Sequence, residues 1–210
     1  MNSKPLEFWF EFASSYSYLS VMRIEALAAQ AGVKLAWRPF LLGPVFLSLG
    51  WNDSPFNIYP PKGRYMWRDL ARLSARYGLP FQVPSRFPRN GLLAARVALT
   101  GASQPWIGAF TRATMQANFA EDRDIADPAV IRDILEALKL PAEAILTEAE
   151  SPENKLALRS QTEQAAERGL FGAPSFITPD GELFWGNDRL EDALAWASAP
   201  PTRPDSAAGR

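Results

Sequence analysis

Alternating apolar and polar positions near the start of the chain predict a β-strand, which is followed by a helix and a second strand. From residue 6 to residue 12 every second residue is large and apolar, and two glutamates lie between them. Such alternation is typical of a strand with one buried face. A helical pattern follows at about residues 15–31 and ends at Gly32, and a second alternating run leads to Pro39. This order predicts a βαβ unit with parallel strands and a right-handed crossover.

The centre of the chain carries helical patterns without strands. Residues 43–61 are rich in Pro, Asn, Ser and aromatic residues and are predicted to form an ordered loop. An amphipathic helix is predicted at residues 62–77, because Met66 and Leu70 recur on one face and Gly78 follows its end. Further helices are predicted at residues 92–100, 105–118, 128–138, 142–148 and 152–168. A helical centre between two β-containing ends indicates an insertion into an α/β domain.

The β pattern returns after residue 171. A strand at residues 175–178, a Pro-Asp-Gly turn and a partner strand at residues 182–185 predict a hairpin. Asn187 or Asp188 is then placed to cap a last helix. The predicted fold class is α/β with a large all-helical insertion. We expect the α/β domain at residues 1–42 and 169–198, the helical insertion at 43–168 and a disordered tail at 199–210.

Charge and hydropathy narrow the choice of partners. The net charge is −1, and basic and acidic residues are interspersed along the chain. This balance argues against nucleic acid or an anionic membrane as the main partner. No apolar run approaches the ~20 residues that span a bilayer, and the start of the chain lacks the pattern of a secretion signal. We therefore expect a cytoplasmic protein with no nucleic-acid and no membrane partner.

Two missing residue types exclude much of enzyme chemistry. The chain has no Cys and no His, so it has no thiol for disulfide exchange, no Ser-His-Asp triad and none of the commonest metal ligands. No carboxylate cluster suggests a metal site, and no phosphate loop or dinucleotide fingerprint is present. Metal binding is therefore not expected. The remaining chemistry must use hydroxyls, Lys, Arg, backbone amides or a bound cofactor.

Two distant segments resemble the halves of a thioredoxin-type active site, namely a helix N-terminus and the loop that faces it. They read Phe-Ala-Ser-Ser-Tyr-Ser-Tyr-Leu at residues 12–19 and Phe-Gly-Ala-Pro-Ser-Phe at residues 171–176. Redox members have Cys-x-x-Cys where this chain has Ser14 to Ser17. Together with segments 60–66, 87–90 and 184–190, these motifs resemble the 2-hydroxychromene-2-carboxylate isomerases and kappa-class glutathione transferases of the DsbA-like branch. The resemblance covers roughly residues 6–196.

The resemblance implies a thioredoxin-like domain carrying the helical insertion, and a glutathione site. From its spacing alone Ser14 is a helix N-cap; the family implies that it faces the glutathione sulfur and is the catalytic residue. The bond between Ala173 and Pro174 is expected to be cis, with the Ala173 backbone pairing with the tripeptide. The implied contacts to the charged ends are Lys62 with the glycyl carboxylate, Asp188 and Arg189 with the γ-glutamyl group, and Asn52 or Asn57 from the loop.

The resemblance also implies the reaction. The expected activity is the glutathione-dependent isomerisation of 2-hydroxychromene-2-carboxylate, a small aromatic substrate, to trans-o-hydroxybenzylidenepyruvate in aromatic hydrocarbon degradation, by a homodimer. One alternative is a kappa-like transferase that conjugates glutathione to another electrophile. The other is a catalytically silent thioredoxin-fold binding protein, which the absence of Cys and His permits. Net consumption of glutathione favours the transferase, and binding without turnover favours the binding protein.

Overall fold

A mixed four-stranded sheet lies at the centre of the protein. The structure is a computed structural model that describes residues 4–198, so the tail expected at 199–210 lies outside it. The strands are β1 Leu6–Phe10, β2 Leu35–Pro39, β3 Ser175–Ile177 and β4 Leu183–Trp185, and their order is β2-β1-β3-β4. β1 pairs parallel with β2 and antiparallel with β3, and β4 pairs antiparallel with β3. The parallel pair and the hairpin predicted from the sequence are confirmed.

Helices surround the sheet and fill the chain between β2 and β3. In the described residues they are α1 Ser15–Ala31, α2 Leu42–Ser48, α3 Pro55–Ile58, α4 Pro60–Tyr77, α5 Leu92–Thr100, α6 Ile107–Phe119, α7 Pro128–Ala137, α8 Ala142–Ala149, α9 Pro152–Glu167 and α10 Leu190–Ser198. None of these helices is long and apolar enough to cross a membrane. The α/β fold with a helical insertion is therefore observed, whereas the exact domain boundaries remain a prediction.

β1 supplies the centre of the core on both faces of the sheet. The ring of Phe8 stacks on Phe176 of β3 at 5.4 Å between centroids and meets the edge of Trp37 of β2 at 5.4 Å. On the opposite face Trp9 packs against Phe40. The main core continues from the sheet into α5 and α6 of the insertion without a break. Burial of this aromatic surface holds the end of β1, and so the turn that follows it, in one place.

The prediction of a loop at residues 43–61 is wrong in two places. α2 and α3 lie within this segment, and each carries a proline in its first turn. Ser54 caps α3 by accepting a hydrogen bond from the amide of Phe56, and Pro55 takes the first helical position. A proline at that position lacks only an N–H that has no helical partner in any case. The prolines therefore start the helices here and do not break them.

The sheet order brings the two predicted halves of the site to the same edge. β1 and β3 are antiparallel neighbours, with Trp9 opposite Ser175. The chain therefore leaves β1 towards α1 where it enters β3 from the Ala173–Pro174 loop. Residues far apart in sequence meet here because of this one strand pairing.

Candidate functional site

Ser14 lies at the start of α1 and contacts the loop before β3. Its side-chain oxygen accepts a hydrogen bond from the amide of Ser17 at 3.2 Å, which makes it the helix N-cap. The same hydroxyl donates to the carbonyl oxygen of Ala173 at 2.9 Å. Ser14 is half-buried. The capping role and a position in the predicted site are therefore both observed for one side chain.

The facing loop has the expected cis peptide bond between Ala173 and Pro174. The Ala173 carbonyl accepts from Ser14, and the Pro174 carbonyl accepts from the amide of Gly186 at 2.9 Å. Ser175 closes the loop by donating to the carbonyl of Gly172 at 2.8 Å. Within residues 4–198 no group accepts from the Ala173 amide. This N–H is a free backbone donor of the loop.

A short 3₁₀ turn, Asn187–Arg189, follows β4 and lies beside α1. The buried Asn187 accepts a hydrogen bond from the hydroxyl of Ser20 in α1 at 3.1 Å. The prediction that Asn187 or Asp188 caps the last helix is wrong, because Asn187 is engaged with Ser20 and no side chain caps this turn. The side chain of Asp188 is 75% exposed, and Arg189 pairs with Asp192 at 3.1 Å.

Lys62 lies on α4, which contacts the start of α1 through Met66. The hydroxyl of Ser15 donates to the sulfur of Met66 at 3.0 Å, which ties α4 to α1. Lys62 lies one helical turn before Met66 on the same face. Its ammonium is 5.7 Å from the ring centroid of Phe56, and that ring is 6.2 Å from the ring of Tyr16. The first two residues of α4 are prolines, which have no N–H, and the amides of Lys62 and Gly63 donate to the carbonyl of Tyr59, so an anion here would be held by the Lys62 ammonium and not by the helix N-terminus.

The two loop asparagines are not brought to Ser14. Asn57 is exposed and donates to both carboxylate oxygens of Asp53, at 3.2 and 3.1 Å, and to the carbonyl of Phe87 at 3.4 Å. Asn52 is exposed in the turn before α3. The side-chain amide of Asn57 therefore serves the loop itself, and neither asparagine has a recorded contact with the start of α1 or with the Ala173 loop within residues 4–198.

Comparisons with known proteins agree with this geometry. A family model described as the DsbA-like thioredoxin domain matches residues 5–195. The 2-hydroxychromene-2-carboxylate isomerase of Sphingobium xenophagum is 32% identical over 190 residues, which cover 90% of this chain and 95% of that protein. The chain belongs to the family of these isomerases and the kappa-class glutathione transferases. Human glutathione S-transferase kappa 1 is 26% identical, with 90% of this chain and 88% of that protein covered.

A solved structure of a 2-hydroxychromene-2-carboxylate isomerase has the same fold as the present chain. The two share 26% sequence identity and superpose with a TM-score of 0.80, with 92% of this chain and 95% of that chain covered. The thioredoxin-like fold inferred from the resemblance is thereby confirmed. The identity is too low to transfer an individual reaction, so the roles of single residues follow from the contacts in this chain.

Tyr16 is a polar group of the site that the family motif alone does not explain. Its hydroxyl donates to the carboxylate of Asp69 at 3.0 Å, and Asp69 also pairs with Arg72 at 3.1 Å. Burial, and then the hydrogen bond to Asp69, raise the pKa of Tyr16, and the charge of Asp188 adds to this effect. The charge of Asp188 therefore acts on the Tyr16 hydroxyl at the start of α1. Tyr16 stays protonated and acts as a donor at neutral pH.

Sequence reasoning missed Glu11, which is 8% exposed and lies three residues before Ser14. One carboxylate oxygen accepts a hydrogen bond from the amide of Ala13 at 3.0 Å. Burial raises the pKa of Glu11 to about 7, although hydrogen bonds from the amides of Ala13 and Ser14 lower it in part. In the sequence, Glu11 alternates with the large apolar residues as Glu7 does, which predicts an exposed side chain. The one signal of a further role is its position between β1 and the Ser14 motif.

The residues of the site fit glutathione better than a metal ion. The free amide of Ala173 matches the carbonyl of an extended peptide. Lys62 on α4 and Asp188 in the turn after β4 offer opposite charges, and the dipole of α1 favours an anion at Ser14. Within the described part of the chain, no group of three acidic residues could hold a metal ion. A tripeptide with a thiol and charged ends suits this set of donors and charges.

Proposed function

We propose that the protein is a glutathione-dependent isomerase that converts 2-hydroxychromene-2-carboxylate to trans-o-hydroxybenzylidenepyruvate. The observation that carries the proposal is the contact of 2.9 Å between the Ser14 hydroxyl and the carbonyl of the cis Ala173–Pro174 peptide. It places a hydroxyl donor at a helix N-terminus, beside a free peptide donor, in a chain without Cys or His. Relatives named as this isomerase, at 32, 28 and 30% identity, support the reaction.

Ser14 stabilises a thiolate in this proposal. A model thiol has a pKa of about 8.5, and lowering it by two units requires about 2.7 kcal/mol. A hydrogen bond to a charged acceptor contributes about 1.5–3 kcal/mol, and the N-terminus of α1 adds about 0.3–1 kcal/mol. These two terms are sufficient. The Ser14 hydroxyl has one proton, which Ala173 accepts in the structure, so the donor must turn from the carbonyl to the sulfur when the ligand binds.

The remaining residues hold the ligand by its peptide and charged ends. The Ala173 amide donates to a ligand carbonyl, and the Pro174 carbonyl stays engaged with Gly186. Lys62 holds a carboxylate, since its ammonium makes no ion pair within residues 4–198. The carboxylate of Asp188 holds the ligand ammonium. Arg189 is paired with Asp192, so it must leave that partner to contact the ligand.

The chemistry of the bound cofactor explains how the reaction proceeds without a protein nucleophile. When bound, glutathione supplies a thiolate that can add reversibly to a conjugated double bond and so permits rotation about it. The chain itself positions the thiol at Ser14 and orients the tripeptide through Ala173. The rings of Tyr16 and Phe56, 6.2 Å apart, provide apolar surface beside the site for an aromatic substrate.

The test is the conversion of the chromene acid by purified protein with and without glutathione. The proposal predicts a spectral change only when glutathione is present, with the glutathione concentration unchanged at the end. S-methylglutathione, which has no free thiol, serves as the matched control and should not support turnover. A rate independent of glutathione would contradict the proposal.

A kappa-like transferase is the second candidate, because the 26%-identical human relative is named as one. In that case the same assay with an electrophile such as an aryl halide should consume one glutathione per product. Saturable binding of glutathione without either reaction would favour a binding protein. The homodimer remains a prediction from the family, and the cytoplasmic location remains a prediction from the sequence. Light scattering that gives a 23.3 kDa particle at micromolar concentration would contradict the dimer.

A further inference from the structure

Glu11 is a buried carboxyl group that the proposed mechanism leaves without a task. It lies three residues before Ser14, in the turn between β1 and α1, and one oxygen accepts from the Ala13 amide at 3.0 Å. The other oxygen faces Gly91, where a Cβ atom would come within 3.3 Å of it and 2.9 Å of Phe12. Gly91 thus leaves room for the buried carboxyl group just before the start of α1.

Polar and charged side chains on the segments next to Glu11 are engaged with other partners. Arg89, from the loop that leads to Gly91, is buried and donates to Asn118 at 3.1 Å and pairs with Asp122. On α1, the hydroxyl of Tyr16 donates to Asp69. Asn118 of α6 carries no charge and donates to the carbonyl of Phe12 at 3.0 Å. Within residues 4–198 no cation is recorded as pairing with the Glu11 carboxylate.

We infer that Glu11 accepts the proton that the glutathione thiol loses when it binds at Ser14. This inference rests on the proposed function, because it requires a thiolate at this site. The sulfur–hydrogen bond breaks, an oxygen–hydrogen bond forms on the carboxyl group, and the total charge of the turn stays at −1. The bound ligand is thereby ionised without placing two negative charges at one helix N-terminus, which their mutual repulsion disfavours.

The protonation state of Glu11 suits this transfer near neutral pH. Its pKa is raised to about 7 by burial, so the free protein carries mostly the carboxylate at pH 7.5 and mostly the acid at pH 6. At pH 7.5 the free thiol is about nine-tenths protonated. Glu11 can therefore receive a proton at the pH at which the thiol still has one to give. The two groups titrate as a pair, and their pKa values belong to the pair.

Proton release on binding tests the inference. Calorimetric titrations with glutathione at pH 7.5, in buffers with different ionisation enthalpies, give the number of protons released per ligand. We expect less than about 0.2 protons for the wild type, because Glu11 keeps the proton, and about 0.9 for Glu11→Gln, which has no acceptor. Glu7→Gln is the matched control, because Glu7 lies on the preceding strand β1 and its carboxylate pairs with Arg168 and Arg38. It should behave like the wild type.

A second measurement needs no variant and remains decisive if Glu11→Gln does not fold. The carbon-13 resonance of the Glu11 carboxyl group reports its pKa in the wild type. Glutathione should raise that pKa by at least one unit, whereas S-methylglutathione should leave it near 7. An unchanged pKa with glutathione bound as thiolate would show that the proton goes to solvent.

The outcomes separate this inference from the proposed function. The ultraviolet absorbance of bound thiolate shows whether the thiol ionises at all. If that absorbance is present and the wild type and Glu11→Gln release equal numbers of protons, Glu11 is a structural cap of its turn and the inference is overturned. If the absorbance is absent, or if glutathione does not bind, the thiolate mechanism at Ser14 is overturned and the role of Glu11 with it.

Discussion

Replacing Ser14 by Ala removes two hydrogen bonds that start from one side chain. The loss of an N-cap costs about 1 kcal/mol, and the hydrogen bond to Ala173 contributes about 0.5–1.5 kcal/mol. We therefore expect the free energy of unfolding to fall by about 1.5–2.5 kcal/mol. For a chain of this size each kcal/mol lowers Tm by about 2–4 °C, so the variant should melt about 3–10 °C below the wild type.

Ser151→Ala is the matched control for the capping component. Ser151 caps α9 with the same geometry, because its oxygen accepts from the amide of Asn154 at 3.2 Å, and no second hydrogen bond of its hydroxyl is recorded among the described residues. This variant should lose only about 1 kcal/mol. Urea unfolding followed by tryptophan fluorescence measures both losses, with equal m-values as the check that the unfolded states match.

The difference between the two variants measures the contact between Ser14 and Ala173. Equal losses would refute the reasoning, because they would mean that this contact does not hold the two halves of the site together. The functional counterpart is the pKa of the bound glutathione thiol. It should rise by about one to two units in Ser14→Ala if the hydrogen bond to the thiolate is worth ~1.5–3 kcal/mol. Superimposable thiolate titrations would leave Ser14 as a helix cap only.

Three further changes test other parts of the site. The pKa of Glu11 is raised from 4.5 to about 7 in the folded state, so between these pH values the native protein keeps a proton that the unfolded chain loses. The free energy of unfolding should therefore fall by up to ~3 kcal/mol as pH rises from about 4.5 to 7. Urea unfolding should show this fall for the wild type and not for Glu11→Gln. Lys62→Gln should weaken glutathione binding about 3–10-fold and reduce its salt dependence in calorimetry, whereas Arg68→Gln on another face of α4 should not. Gly186→Ala should lower the free energy of unfolding by ~1–3 kcal/mol in urea titrations, because Gly186 has φ 109° and an added Cβ would lie 2.5 Å from the Asp188 carboxylate. A variant as stable as the wild type would mean that the turn adjusts to the added Cβ without cost.

The parts of the fold with a strong local pattern could be predicted from the sequence. Strict alternation gave the strands β1 and β2, and the Pro-Asp-Gly turn gave the hairpin of β3 and β4. α2 and α3 could not be predicted in this way, because Pro and Asn indicate both loops and helix starts. The two possibilities differ in whether the residues after the proline bury apolar surface, as Val45 does, and that depends on tertiary packing.

The same limit applies to the site. Ser14, Ala173 and Pro174 could be found because their motifs are local and resemble those of a known family. The partner of Asn57 could not be read from the sequence, since Asp53 lies one helical turn away and accepts from the amide within the loop. Glu11 was missed because its burial depends on the insertion, through Gly91 and the loop before α5. A charged residue in an alternating pattern predicts exposure unless a distant segment covers it.

The site contains hydrogen-bond donors and charges but no thiol or imidazole of its own, so these groups alone do not decide between isomerase and transferase. Under the proposed function, Ser14, the Ala173 amide and the N-terminus of α1 stabilise an anion whatever the anion later attacks. An isomerase and a transferase can therefore share these groups, which explains why both names occur among the relatives. Under the proposed function, the choice between them depends on the side chains that contact the substrate, for which the rings of Tyr16 of α1 and Phe56 of α3 are the candidates. Substitutions on that side should change the ratio of isomerase to transferase activity, while substitutions of Ser14 should lower both together.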